Sequence, residues 1–129
     1  MGQLILRGMD MLPVILKQYN KILLGHGKAF GQHPIKSLFP SASTVSFADF
    51  APNPRYEDVC KGIDLFNGAG CDAIAAVGGG SAMDVAKCVK LFCRMDKNIN
   101  YLRQEKRDTG IPLVFFFFML GRGRLSTQH

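Results

Sequence analysis

Ile74-Ala75-Ala76-Val77-Gly78-Gly79-Gly80-Ser81-Ala82-Met83-Asp84-Val85-Ala86-Lys87 places an apolar run, three consecutive glycines, a serine and a helical pattern in that order. The chemistry open to such a stretch is anion binding. Backbone N–H groups at the start of a helix point at an anion, and the helix dipole adds partial positive charge. Gly78, Gly79 and Gly80 carry no β-carbon, so a pyrophosphate can approach the main chain closely. Ser81 and Asp84 admit two readings. They can form a capping box, with Asp84 in place of the usual Glu. They can also hold a ligand, Ser81 donating to phosphate and Asp84 meeting a polar group. A plain tight turn would use the same glycines, but the strand before them and the helix after them favour the anion.

Such a turn must be carried by elements on either side. Gln3–Leu6 reads as a short strand closed by Gly8. Residues 9–19 have helical spacing, with Met9, Leu12, Ile15, Leu16 and Tyr19 on one face. Pro13 fits that helix only in its first turn. Residues 21–24 read as a buried strand ended by Gly25-His26-Gly27, residues 34–39 as a short helix, and Thr44–Phe47 as another strand. Pro52-Asn53-Pro54 is a rigid turn. Residues 56–67 form an amphipathic helix: Val59, Cys60, Ile63 and Phe66 are its apolar face, and Glu57, Asp58, Lys61 and Asp64 its wet one. Glu57 and Asp58 lie in the first turn, where the dipole favours acids, and Gly68 and Gly70 end the helix. Residues 72–77 are a continuous apolar strand of the kind buried on both faces. Residues 81–95 predict a helix that is apolar nearly all round and therefore central. Residues 98–107 are a polar connection, and 111–118 a final strand. This alternation predicts an α/β fold, a parallel sheet with right-handed crossovers.

A chain of 129 residues suits one domain with one core. The hydrophobic share of 47% sets it apart from disordered chains. A net charge of +6 invites a nucleic-acid reading, but the basic residues do not cluster. The densest stretch, 103–107, contains Glu105, so a solvated surface explains it better and no nucleic-acid partner is expected. Cys60, Cys71, Cys88 and Cys93 form no C-x-x-C pair and have no histidine at zinc spacing. Each lies in or beside an apolar stretch, so buried free thiols in a reducing, cytoplasmic setting are expected. The N-terminus lacks the pattern of a signal peptide. The apolar run 113–120 is too short to cross a bilayer as a helix, so no membrane partner is expected.

The glycine segment resembles the iron-containing alcohol dehydrogenase family, part of the dehydroquinate-synthase-like group. The family motif G-G-G-S-x-x-D-x-A-K stands intact from Gly78 to Lys87. Pro52-Asn53-Pro54 matches the family's P-N-P turn. Tyr56-Glu57-Asp58-Val59-Cys60-Lys61-Gly62-Ile63 and Gly70-Cys71-Asp72 are also similar to it. The resemblance covers most of residues 3–114. It implies a Rossmann-like NAD(P)-binding domain over 1–114, a parallel sheet flanked by helices. It also implies a helical C-terminal domain that binds iron or another divalent metal. The activity implied is an oxidoreductase passing a hydride between NAD(P)H and a small alcohol or aldehyde. Gly78, Gly79, Gly80, Ser81 and Asp84 are implied to hold the dinucleotide, with Asn53 nearby. Glycerol dehydrogenase and dehydroquinate synthase share the glycine turn, but the P-N-P turn together with the long motif fits the iron group better. NAD-preferring members often set an aspartate after the first cofactor-domain strand, where it meets the ribose hydroxyls. Here that place reads Gly25-His26-Gly27-Lys28, with Gly27 where the aspartate would stand. With no carboxylate to repel a 2′-phosphate, and Lys28 alongside, the cofactor expected is NADP or NAD, with NADP favoured. A glycine turn with a solvent-facing lysine is the alternative.

After Thr109-Gly110-Ile111-Pro112-Leu113-Val114 the family continues into P-T-T-x-G-T-G-S-E, whose threonines contact nicotinamide ribose and phosphate. This chain runs Phe115-Phe116-Phe117-Phe118-Met119-Leu120-Gly121-Arg122-Gly123-Arg124-Leu125 instead. A one-base slip in a frame for A-G-T-G-S yields L-G-R-G-R, the order from Leu120 to Arg124. Residues 115–129 are therefore expected to be an aberrant, frameshifted segment. A genuine variant whose Arg122 and Arg124 bind phosphate is the alternative. The family's metal ligands, an aspartate and histidines, would come from beyond residue 129, so the metal domain is expected to be absent and no catalytic or metal residue is assigned. Since the metal polarises the reacting carbonyl or alkoxide, the chain alone is expected to bind a dinucleotide without turnover. The rival readings are a non-enzymatic nucleotide- or phosphate-binding module and a non-functional product. Residues 113–120 are expected to be an exposed, uncharged, β-prone run that promotes aggregation, with homo-oligomerisation also open.

Overall fold

Parallel strands cannot be joined by tight hairpins and need long crossovers, which helices supply. The computed structural model describes residues 3–6, 12–27, 37–48, 54–78, 80–106 and 109–117. Its strands are β1 (Gln3–Leu6), β2 (Ile22–His26), β3 (Thr44–Phe47), β4 (Ala73–Gly78) and β5 (Leu113–Phe117). Its α-helices are α1 (Leu12–Leu16), α2 (Tyr56–Ala69) and α3 (Gly80–Phe92). The strands form one sheet in the order β1-β5-β4-β2-β3, with every pair parallel. The expected α/β architecture is the one found. No helix among the described residues is long and apolar enough to cross a membrane.

The middle of the sheet is apolar on both sides because its strands alternate between two cores. On one side Leu23, Ile74, Ala76, Leu113 and Phe115 pack with the inner faces of α2 and α3. On the other, Ile22, Leu24, Ala73, Ala75, Val77 and Val114 pack with Ile15, Leu16 and Phe39. Helix α2 contributes Val59, Ile63 and Phe66, and α3 contributes Ala82, Val85, Ala86, Val89 and Phe92. These sets recur every three or four residues, as an amphipathic helix requires. Gly62 lets α2 come in close: a β-carbon there would lie 2.9 Å from Phe47 Cε2 and 2.9 Å from Val89 Cγ2.

Several boundaries differ from those read in the sequence. Of the helix expected over 9–19, the described part is Leu12–Leu16, with Pro13 in its first turn, and 9–11 lie outside the described residues. So do 34–36 of the helix expected over 34–39. Strand β2 extends to His26 because its backbone keeps pairing with β4 as far as Val77. Gly68 does not end α2. Gly70 does, with φ 70°, while Cys71 N–H donates to Phe66 O at 3.0 Å, a glycine-capped helix end. Helix α3 is central, packing on β2, β4, β5 and α2, but it is not apolar all round: Asp84 and Lys87 are exposed. The polar connection buries Tyr101, whose ring stacks on Phe92 with centroids 5.7 Å apart.

The largest correction concerns the run from residue 113. Leu113, Val114 and Phe115 are 1%, 3% and 3% exposed. Strand β5 lies between β1 and β4 and is paired on both sides. The apolar run was expected at the surface; it is an interior strand, and what makes it so is the pairing with β1. Residues 118–129 lie outside the described residues.

Candidate functional site

From β2 the chain moves outward to β3, and from β4 it moves the opposite way to β5. Open α/β sheets leave a crevice where the winding reverses, beyond the carboxyl ends of the strands. Here that crevice lies between the ends of β2 and β4. His26 pairs with Val77, so Gly27 follows β2 level with Gly78, the last residue of β4, which still pairs with Phe117 of β5. Gly78 has φ 129°, a conformation that side-chain-bearing residues avoid. No described heavy atom lies within 4 Å of an ideal β-carbon at Gly27, Gly78 or Gly80. Three glycines thus meet no described atom where two strands end and a helix begins. Those bare backbones, at a helix start, suit the pyrophosphate of a dinucleotide.

Gly80 is the first residue of α3, a helix of 13 residues whose N-terminus sits at this end of the sheet. Ser81 is the second residue and half-buried, and Asp84, three residues on, lies exposed on the same side. The turn therefore gathers Gly27, Gly78, Gly80, Ser81 and Asp84. Asn53, Gly79 and Lys28 lie outside the described residues.

Three local features hold these strands in shape, two at this end and one at the other. The His26 ring donates from Nδ1 to Gly27 O at 3.0 Å, which ties the side chain to the turn that follows β2. Gly25 brings β2 under the first turn of α3, its missing β-carbon lying 3.9 Å from Ala82 O. At the far end of the same strands, the Asp72 carboxylate accepts from Asn20 N–H through Oδ2 and from Lys21 N–H through Oδ1, each at 3.0 Å. Asp72 N–H in turn donates to Lys21 O at 2.9 Å. The sequence reading gave Gly25 as the end of a strand, where it lies inside β2, and Asp72 as the start of one, and gave neither a part in shaping the site. The available signals were a small residue inside a leucine-rich strand and an acid directly before a buried one.

The thiols do not offer nucleophilic chemistry at this turn. Burial pushes the Cys88 thiol above its ordinary value, and the Asp84 charge one helical turn back adds to the rise. Burial likewise raises Cys71 and Cys93. Reactive thiols need the opposite shift. Among the described residues no three His, Cys, Asp or Glu side chains come together as a metal-ligand set. A separate cleft of about 390 Å³ lies between α2 and the segment after α3, lined in part by Tyr56, Cys60, Asp64, Lys97 and Tyr101. There Tyr101 N–H donates to the Tyr56 hydroxyl at 2.8 Å.

Comparison with known proteins agrees with this geometry. The family model of iron-containing alcohol dehydrogenases matches residues 8–128. The NADH-dependent butanol dehydrogenase B of Clostridium acetobutylicum is 32% identical over 102 residues, covering 70% of this chain and 26% of that protein. The NAD-dependent methanol dehydrogenase of Bacillus methanolicus is 30% identical over 106 residues, covering 80% of this chain and 28% of that one. The chain thus spans about a quarter of the length of these curated relatives. Among solved structures, the sulfoacetaldehyde reductase of Bifidobacterium kashiwanohense in complex with NAD+ superposes with a TM-score of 0.71 at 20% identity, over 88% of this chain and 33% of that one. That likeness speaks for the fold. Since the family model runs along nearly the whole sequence, the chain belongs to the iron-containing alcohol dehydrogenase family.

Proposed function

We propose that the chain is the dinucleotide-binding part of an NAD(P)-dependent alcohol dehydrogenase, with Gly27, Asn53, Gly78, Gly79, Gly80, Ser81 and Asp84 at the cofactor. The observation that carries this reading is the set of three uncovered glycines at the point where the winding reverses, with α3 starting among them. In this reading the N–H groups of the glycine turn and the first turn of α3 donate to the pyrophosphate. The Ser81 hydroxyl adds a donor, and Asp84 accepts from a polar group of the ligand. The bound nicotinamide supplies or accepts the hydride exchanged with a small alcohol or aldehyde. The cofactor unit is proposed to span residues 1–114, with β5 crossing its end. Every residue assigned here binds phosphate or ribose, and none polarises a carbonyl, so the 129 residues alone are proposed to bind cofactor without turnover.

Two observations pull apart over the 2′-phosphate. Gly27 sets no carboxylate against it, which favours NADP. The two relatives are named for NADH and NAD. A site that takes either dinucleotide satisfies both. Fluorescence titration of the chain with NADH and with NADPH tests this. Saturable binding of both, with affinities within about tenfold, is expected, a margin of roughly 1.4 kcal/mol. No saturation by either at millimolar concentrations overturns the assignment.

A further inference from the structure

We infer that Asp72, at the opposite end of β4 from the glycine turn, is a positioning residue for the dinucleotide site; this rests on the reading above. Strands β2 and β4 are neighbours but not consecutive: β3 and α2 lie between them in the chain. No short turn therefore sets their register, and packing must do so. Strand β4 offers little for that, because in its sequence AIAAVG only Ile74 and Val77 are large side chains. A slip by two residues would keep each side chain on its own face, exchanging Ala73 for Ala75 and Ile74 for Ala76. It would also move Gly78 along the sheet relative to Gly27 by roughly 7 Å, two strand rises. The phosphate cradle needs those two glycines level.

Asp72 supplies what the alanines do not. Its two carboxylate oxygens take the N–H groups of Asn20 and Lys21, and its own N–H goes to Lys21 O. These three bonds join residue 72 to residues 20–21 immediately before Ile22 pairs with Ala73. Charge-assisted bonds to backbone N–H groups are stronger and more directional than neutral ones. With the lower end pinned, each further residue pair follows, up to His26 beside Val77.

The test uses the whole chain with Asp72→Ala and Asp72→Asn, and Gly62→Val as a variant destabilised at a different place. NADH affinity is measured at a temperature where all are folded by circular dichroism. Asp72→Ala is expected to weaken NADH at least tenfold. Asp72→Asn, which keeps one acceptor oxygen, is expected to lose several-fold, and Gly62→Val to bind as the parent does. Should Asp72→Ala fail to fold, the Asp72→Asn loss decides. Unchanged affinity in the Asp72 variants, or an equal loss in Gly62→Val, overturns the inference. If the parent chain binds neither dinucleotide, the proposed function fails, and amide hydrogen exchange in Asp72→Asn decides the positioning role. Faster exchange at Gly27 and Gly78, with Ile63 and Phe66 unchanged, supports it; a uniform change or none overturns it.

Discussion

Gly27 is exposed, at the end of β2, and outside the positive-φ conformations that only glycine adopts readily. A side chain there meets no described atom. Gly27→Asp should therefore fold normally and act on the ligand alone. The new carboxylate repels a 2′-phosphate and offers an acceptor to the ribose hydroxyls. NADPH affinity is expected to fall by at least tenfold relative to NADH, about 1.4 kcal/mol, as read by paired titrations. An unaltered ratio would mean that the ribose lies elsewhere. Gly78 is a different kind of glycine. Its φ of 129° excludes side chains for a backbone reason, so substitution there reports strain as well as binding.

At the level of elements, helix packing holds α2 against α3 and the sheet. Helix α3 rests on the sheet and on α2, and Gly62 fixes how closely α2 approaches. Gly62→Val forces methyl groups onto Phe47 and Val89, and a packed core resists such insertion by about 1–3 kcal/mol. A lower urea midpoint with an unchanged slope is the expected result. Helix α2 is also fixed at its start. Asp58, expected on the wet face, is buried because it turns back on the helix start: its carboxylate accepts Arg55 N–H at 3.0 Å, while Asp58 N–H donates to Arg55 O. Both helices were evident in the sequence, since Val59, Ile63 and Phe66 and then Ala82, Val85 and Val89 carry the helical period. Their ends were less so. Gly68 and Gly70 look alike as letters, and only the left-handed backbone at Gly70 distinguishes the stop from a helical residue.

For the whole molecule, burial of neutral titratable groups sets an alkaline limit. Cys71, Cys88 and Cys93 are raised above 9.0 by burial, and Tyr101 above 10.0, again chiefly by burial. Because the folded state holds these protons more tightly than the unfolded chain does, stability is fully present below pH 9.0. It is lost as pH rises through the folded values. Urea midpoints should be level from neutral pH to about 9 and fall beyond it. A rising midpoint over that alkaline range would contradict the burial of these groups.

The sequence by itself determined the types of element, the parallel α/β class and the glycine turn, because these depend on local period and on where side chains are missing. It showed a strand, three glycines and a helix in succession, and that order alone places a helix start against bare backbone. What only the tertiary structure decided was which distant segments lie side by side. The order β1-β5-β4-β2-β3 brings Gly27 to Gly78, encloses the apolar run Leu113-Val114-Phe115 as an interior strand, and sets Asp72 against residues 20–21. Each of these depends on pairing between strands far apart in the chain, and local spacing and residue type do not name the partner strand.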